Sequence, residues 1–196
     1  MIHRLSAFCA RNIILLGNLH HVSEPILRYG CELIITSIIG LQILIILSLI
    51  IGHPSAWIFF IISFAPHRTF AGGYHADTHT KCFFVTSMMF VLSTITAYGL
   101  VWTNYVYLII SLFSMVLIFF FAPLPAENKP LSPKRFRSNR IKSLIIICAN
   151  CLIAVFFTML KSVSKEANMY FAGIFFASSS LIMGKIKIYM KGSKTI

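Results

Sequence analysis

Between Pro66 and Cys82 the chain gathers His67, Arg68, Gly72, Gly73, Tyr74, His75, Asp77, His79, Lys81 and Cys82 beside long apolar runs. Ionisable groups next to hydrocarbon are costly to keep, so such a cluster points to function. A thiol and an imidazole can together cleave a peptide bond. The sulfur attacks the carbonyl carbon, and the imidazole takes the thiol proton and returns it to the leaving amine. Cys82 is the candidate nucleophile and His75 the candidate base. Asp77, Thr78 and Thr80 are good capping residues for a helix that begins just before Cys82. There the helix dipole and Lys81 surround the sulfur with positive charge. In one unbroken helix the seven-residue separation of the pair would be roughly 10 Å, too far for a hydrogen bond. The pair therefore requires a bend, which the Gly72–Gly73 pair and the caps supply.

The same residues offer a second chemistry. His75, His79 and Cys82 at i, i+4 and i+7 would share one face of a continuous helix, and zinc takes such ligands. Against this, no Glu sits between the histidines to act as a base, and a fourth ligand would have to come from Asp77 or His67. We expect no metal and no cofactor. A third reading makes these residues merely interfacial polar groups. Elsewhere, Cys148 and Cys151 form C-x-x-C inside an apolar run, where small residues serve helix packing. His20 and His21 have no obvious partner. Glu32 is either a favourable helix-start carboxylate or an acidic partner for Arg68 or His75.

The elements that must position this cluster are membrane helices. Hydrophobic residues make up 58% of the 196 and charged residues 11%, well below the roughly one-quarter charged of a soluble domain. We expect an all-α polytopic integral membrane protein in one domain over 1–196, with spans at about 33–51, 54–66, 82–102, 105–122, 144–160 and 168–184. The second is short, with only Ser55 to Ala65 between Pro54 and Pro66. It either crosses with help from its neighbours or re-enters. Residues 1–30 space Ile2, Leu5, Phe8, Cys9, Ile13, Leu16 and Leu19 as on a helix, with Arg4, Arg11 and Asn18 largely opposite. That pattern predicts an amphipathic helix in the interface. It shows no cleavable signal peptide.

With six crossings and a cytoplasmic amino terminus, all of the 17 Lys and Arg except Lys161 and Lys165 fall on the cytoplasmic side. This is the expected positive-inside bias. It places both termini and the Cys82 cluster in the cytoplasm. The formal charge of +12 sits in short loops beside helices, which suits anionic lipid rather than nucleic acid. Residues 123–143 read as a proline-rich turn followed by a basic strip from Lys134 to Lys142 along the leaflet. Five cysteines near spans imply no disulfide framework, and no inverted repeat suggests a transporter.

At the level of motif, Arg68, Ala71-Gly72-Gly73-Tyr74-His75-Ala76, Lys81 and Cys82 resemble the accessory gene regulator B (AgrB) family, membrane cysteine endopeptidases of Gram-positive quorum sensing. Ala122-Pro123-Leu124 and Glu127-Asn128-Lys129-Pro130-Leu131-Ser132 look like that family's polar loop. The resemblance implies that His75 and Cys82 are the catalytic pair. It assigns Glu32, Arg68 and Gly73 to activity or substrate handling, and Lys129 and Ser132 to the polar loop. It implies an AgrD-like propeptide as substrate, with an amphipathic leader and an acidic tail. Cleavage of the tail would be followed by closure to a thiolactone or lactone, and a homodimer is a further expectation. Arg68 and backbone N–H groups near Gly73 are the candidate oxyanion donors. The alternative function is a non-enzymatic exporter or sensor whose Gly72–Cys82 segment only lines a path.

Overall fold

The computed structural model describes residues 2–17, 23–74, 78–125, 131–161 and 163–192. These residues form seven helices and no strand: α1 (Ile2–Gly17), α2 (Glu24–Ile50), α3 (Ala56–Phe70), α4 (His79–Gly99), α5 (Asn104–Phe121), α6 (Pro133–Met159) and α7 (Lys165–Gly192). The fold is all-α and polytopic. The helices α2, α4, α5, α6 and α7 are each long and apolar enough to cross a membrane. The chain divides into two units, Met1–Ile50 and Ile51–Ile196.

In the first unit α1 packs on α2. Ser6 and Ala10 are buried, while Leu5, Phe8, Ile13, Leu15 and Leu16 stay exposed. Those exposed apolar residues suit the expected interfacial helix. Arg11 Nε and Glu24 Oε1 form a surface ion pair at 3.2 Å. The span expected from residue 33 begins earlier, because α2 starts at Glu24 with Pro25 in its first turn. Proline is tolerated there, where no intrahelical N–H bond is lost.

In the second unit α7 is the central helix, packed on α3, α4 and α5, while α6 lies against α5 and α3. Lipid tails are as apolar as leucine, so helices associate in a bilayer by close packing and hydrogen bonds rather than by hydrophobic transfer. Both devices are present. A methyl group at Gly173 would overlap Ser63 Oγ, so α7 approaches α3 closely there. Asn168 ties three helices together: its Nδ2 donates to Ala97 O at 3.0 Å and its Oδ1 accepts from Tyr107 Oη at 2.8 Å. Ser114 and Ser178 bond across α5 and α7 at 2.9 Å. Tyr107 also stacks on Phe171 at 4.7 Å between centroids and meets Phe157 edge-on at 5.7 Å. His67 Nε2 and Asn150 Nδ2 are 2.9 Å apart, and Asn150 Oδ1 accepts from Tyr170, which links α3, α6 and α7.

Two further boundaries differ from the sequence expectation. The segment expected at 54–66 is α3, whose 15 residues reach about 22 Å, less than the ~30 Å core. It does not stop at Pro66 but runs through it to Phe70. The basic strip is not a loop either: Ser132 caps α6, Pro133 opens it, and Lys134 to Lys142 form its first turns.

Candidate functional site

α3 ends where the chain can turn. The Ala71 N–H closes the last turn on His67 O at 2.8 Å, and Gly72 and Gly73 follow with φ of +82° and +137°. Only glycine adopts such angles without strain. The turn is pinned from outside by the chain after α5. Leu124 N–H donates to Ala71 O at 2.9 Å and forms a parallel bridge with Gly72. A methyl group at Gly72 would overlap the Leu124 carbonyl oxygen.

Arg68, in the last turn of α3 beyond its apolar stretch, folds over this turn. Its Nη2 donates to Tyr74 O, while Nη1 is buried with no partner among the described residues. A methyl group at Gly73 would overlap both Arg68 Nη1 and Ser180 Oγ of α7, so Gly73 is glycine for want of space as well as for its φ. Burial lowers the Arg68 pKa from its ordinary value, and an electrostatic interaction with Cys82 opposes that shift. A buried cation with an open donor is costly unless something accepts from it.

Cys82 is the fourth residue of α4. Thr78 caps the helix in extended conformation, with Oγ1 accepting from Lys81 N–H at 3.3 Å, and Cys82 N–H donates to Thr78 O at 3.0 Å. The first-turn position expected from the capping residues is present, and Cys82 is partly exposed. Thr78 is extended and α4 begins at His79, so a helix running unbroken through Thr78 to Cys82 is not formed. No group of three metal-binding side chains occurs among the described residues.

Residues 6–184 match the family model of accessory gene regulator B. The chain belongs to the accessory gene regulator B family. An AgrB-like protein of Clostridium acetobutylicum is 29% identical over 66% of this chain, and the match spans 61% of that protein's length. Accessory gene regulator protein B of Staphylococcus intermedius is 25% identical over 70% of this chain and 73% of its own. No solved structure matches. Membership supports an accessory gene regulator role for this multi-pass membrane protein.

Of the residues that the AgrB resemblance singles out, Arg68 and Gly73 come together, and Cys82 stands in the first turn of α4. His75 and Lys129 lie outside the described residues, as do Asp77 and Glu127. Ser132 has a structural task as the α6 cap, its Oγ accepting from Arg135 N–H at 3.4 Å. Glu32 belongs to the first unit, where it is buried on α2. Sequence reasoning missed Ser180 and Gly184 of α7, which lie against Gly73, and Arg140 of α6, which bonds the end of α5. It also missed two cation–ring contacts flanking the turn, Lys187 Nζ over Tyr74 at 5.3 Å and Lys142 Nζ over Phe70 at 5.1 Å. Only Gly184 carried a sequence signal, as a glycine inside an apolar helix.

Proposed function

We propose that this protein is a membrane-embedded cysteine endopeptidase that removes the C-terminal tail of an AgrD-like propeptide and promotes closure of the remainder to a thiolactone or lactone. The observation that carries the reading is Arg68, whose buried Nη1 rests against Gly73 with no hydrogen-bond partner among the described residues.

In the proposed reaction His75 removes the Cys82 thiol proton and the sulfur attacks the scissile carbonyl carbon. Negative charge then develops on the carbonyl oxygen, and Arg68 Nη1 is the donor available to it. Collapse breaks the C–N bond, and His75 protonates the departing amine of the tail. The acyl group remains on Cys82 as a thioester. A Cys or Ser side chain of the propeptide attacks that carbonyl, forms the ring and frees Cys82. Shelter from water favours this outcome over hydrolysis.

Orientation in this reading is cytoplasmic for both termini and the site, supported by the Lys and Arg distribution. The exposed charges of Lys134, Arg135 and Arg137 at the start of α6 provide a field for an acidic tail, and Lys129 and Ser132 belong to the adjoining polar loop. A homodimer and anionic lipid are further proposed partners.

The test is co-expression with the cognate propeptide, following the tail fragment by mass, for wild type, Cys82→Ala, Cys82→Ser and His75→Ala. We expect cleavage by wild type alone, with all variants inserted normally. Cleavage by the Cys82 and His75 variants would overturn the peptidase and bring forward a non-enzymatic exporter or sensor.

A further inference from the structure

Arg140 stands apart from the basic strip in which it lies. Lys134, Arg135 and Arg137 are exposed. Arg140 instead turns back onto α5: Nη2 donates to Phe119 O at 2.9 Å, Nη1 donates to Ala122 O, and the guanidinium lies 5.7 Å from the Phe119 ring centroid. These carbonyls belong to the last turn and cap of α5, where a helix leaves its C=O groups without intrahelical partners. A cation at this end also complements the negative pole of the helix dipole.

What the clamp holds leads directly to the site. Two residues beyond Ala122, Leu124 N–H bonds to Ala71 O at 2.9 Å and the residue pairs with Gly72. The two backbones approach so closely that a methyl group at Gly72 would overlap the Leu124 carbonyl oxygen. The Leu124 side chain in turn meets α7, where a methyl group at Gly184 would come within 2.5 Å of Leu124 Cδ2. The next residue after Gly72 is Gly73, against which Arg68 Nη1 rests. Arg140, the α5 terminus, Leu124, Gly72, Gly73 and Arg68 thus form an unbroken series of contacts.

We infer that Arg140 is a positioning residue for the proposed peptidase: by gripping two carbonyls at the end of α5 it sets where Leu124 pairs with Gly72, and hence where Gly73 and Arg68 stand in the candidate site. The effect on turnover rests on the peptidase reading; the mechanical link does not. The grip needs a planar fork, because two donors must reach two separate carbonyls. Lysine brings the charge without the fork.

The experiment uses the full chain in membranes with its cognate propeptide, comparing Arg140→Lys, Arg140→Gln and Arg137→Gln. Arg140 makes no contact with the substrate in this account, so Arg140→Gln should lower kcat tenfold to about a hundredfold, the range of a site misplaced by ~1 Å. KM should stay within about twofold. Arg140→Lys should recover part of the loss, and any effect of Arg137→Gln should fall on KM. An unchanged kcat in Arg140→Gln, or a loss confined to KM, overturns the proposal.

A second measurement is independent of turnover. With Cys9, Cys31, Cys148 and Cys151 replaced by alanine, the rate of Cys82 alkylation by N-ethylmaleimide should change several-fold in both Arg140 variants. Equal rates overturn the proposal. If the wild-type chain cleaves nothing, the peptidase reading fails and alkylation alone decides the positioning role. If Arg140→Gln does not accumulate, Arg140→Lys, which keeps the charge, carries the test.

Discussion

Gly184 lies directly on the backbone of Gly73: a side-chain carbon at Gly184 would come within 2.9 Å of the Gly73 carbonyl carbon and 3.0 Å of its oxygen. Two glycines far apart in sequence thereby let α7 form the back wall of the turn that carries Arg68.

Gly184→Ala should therefore lower propeptide cleavage at least about tenfold, because a side chain there displaces a turn that must be held to within an ångström. Membrane insertion should be unaffected. Gly30→Ala is the control, since nothing lies within 4 Å of a side-chain carbon there, and it should keep wild-type cleavage. Equal activity in the two variants would show that the Gly73 contact has no consequence for turnover.

Arg68→Lys should be nearly as damaging as Arg68→Gln, with kcat reduced by a factor of about a hundred to a thousand, the range for losing an oxyanion donor. One arm of the guanidinium bonds Tyr74 O while the other remains open beside Gly73, and a lysine ammonium does not reproduce that fork. Propeptide cleavage kinetics on membranes check this. A fully active lysine variant would mean that charge alone suffices.

Asn168→Ala should destabilise the helix bundle without touching the chemistry. It removes the acceptor for Tyr107 and the donor to Ala97 O, each worth about 0.6 to 2 kcal/mol in a membrane bundle. The readout is the unfolding midpoint in detergent, which should fall, while the kcat of the surviving folded enzyme stays near wild type.

Thr78→Ala should cost about 1 kcal/mol of local helix stability and loosen the first turn of α4, which holds Cys82. Thr78→Ser, which keeps the capping oxygen, should restore it. Amide exchange at Lys81 and Cys82 measures the effect, and faster exchange is expected in the alanine variant alone.

Much of this architecture was legible because apolar runs and capping residues are local signals. The start of α4 is the clearest case: Thr78 was an expected cap and is the cap, so Cys82 falls in the first turn. Pro66 misled, because a proline in a helix was read as a stop. In α3 the missing N–H removes one hydrogen bond and the helix continues to Phe70, as membrane helices tolerate when neighbours pack around the break. The Ser132–Pro133 pair is a cap followed by the favoured first residue of a helix. It was passed over because the charges behind it suggested a solvated strip.

The wall residues were not legible in the same way. Arg140 differs from Arg137 only in which side of α6 it occupies and what lies opposite, and that depends on how α5 and α6 pack. Ser180 and Gly184 carry no chemistry of their own. Their importance is the space they leave for Gly73, which exists only once α7 is in place.

That last dependence bears on how the protein is made. The turn at Gly73 is backed by Ser180 and Gly184, which the ribosome supplies long after Arg68 and Cys82 have already reached the membrane. A nascent chain halted before α7 carries the thiol and the guanidinium but lacks the wall that holds them in register. The wall behind Gly73 is thus present only once α7 has joined the helices before it.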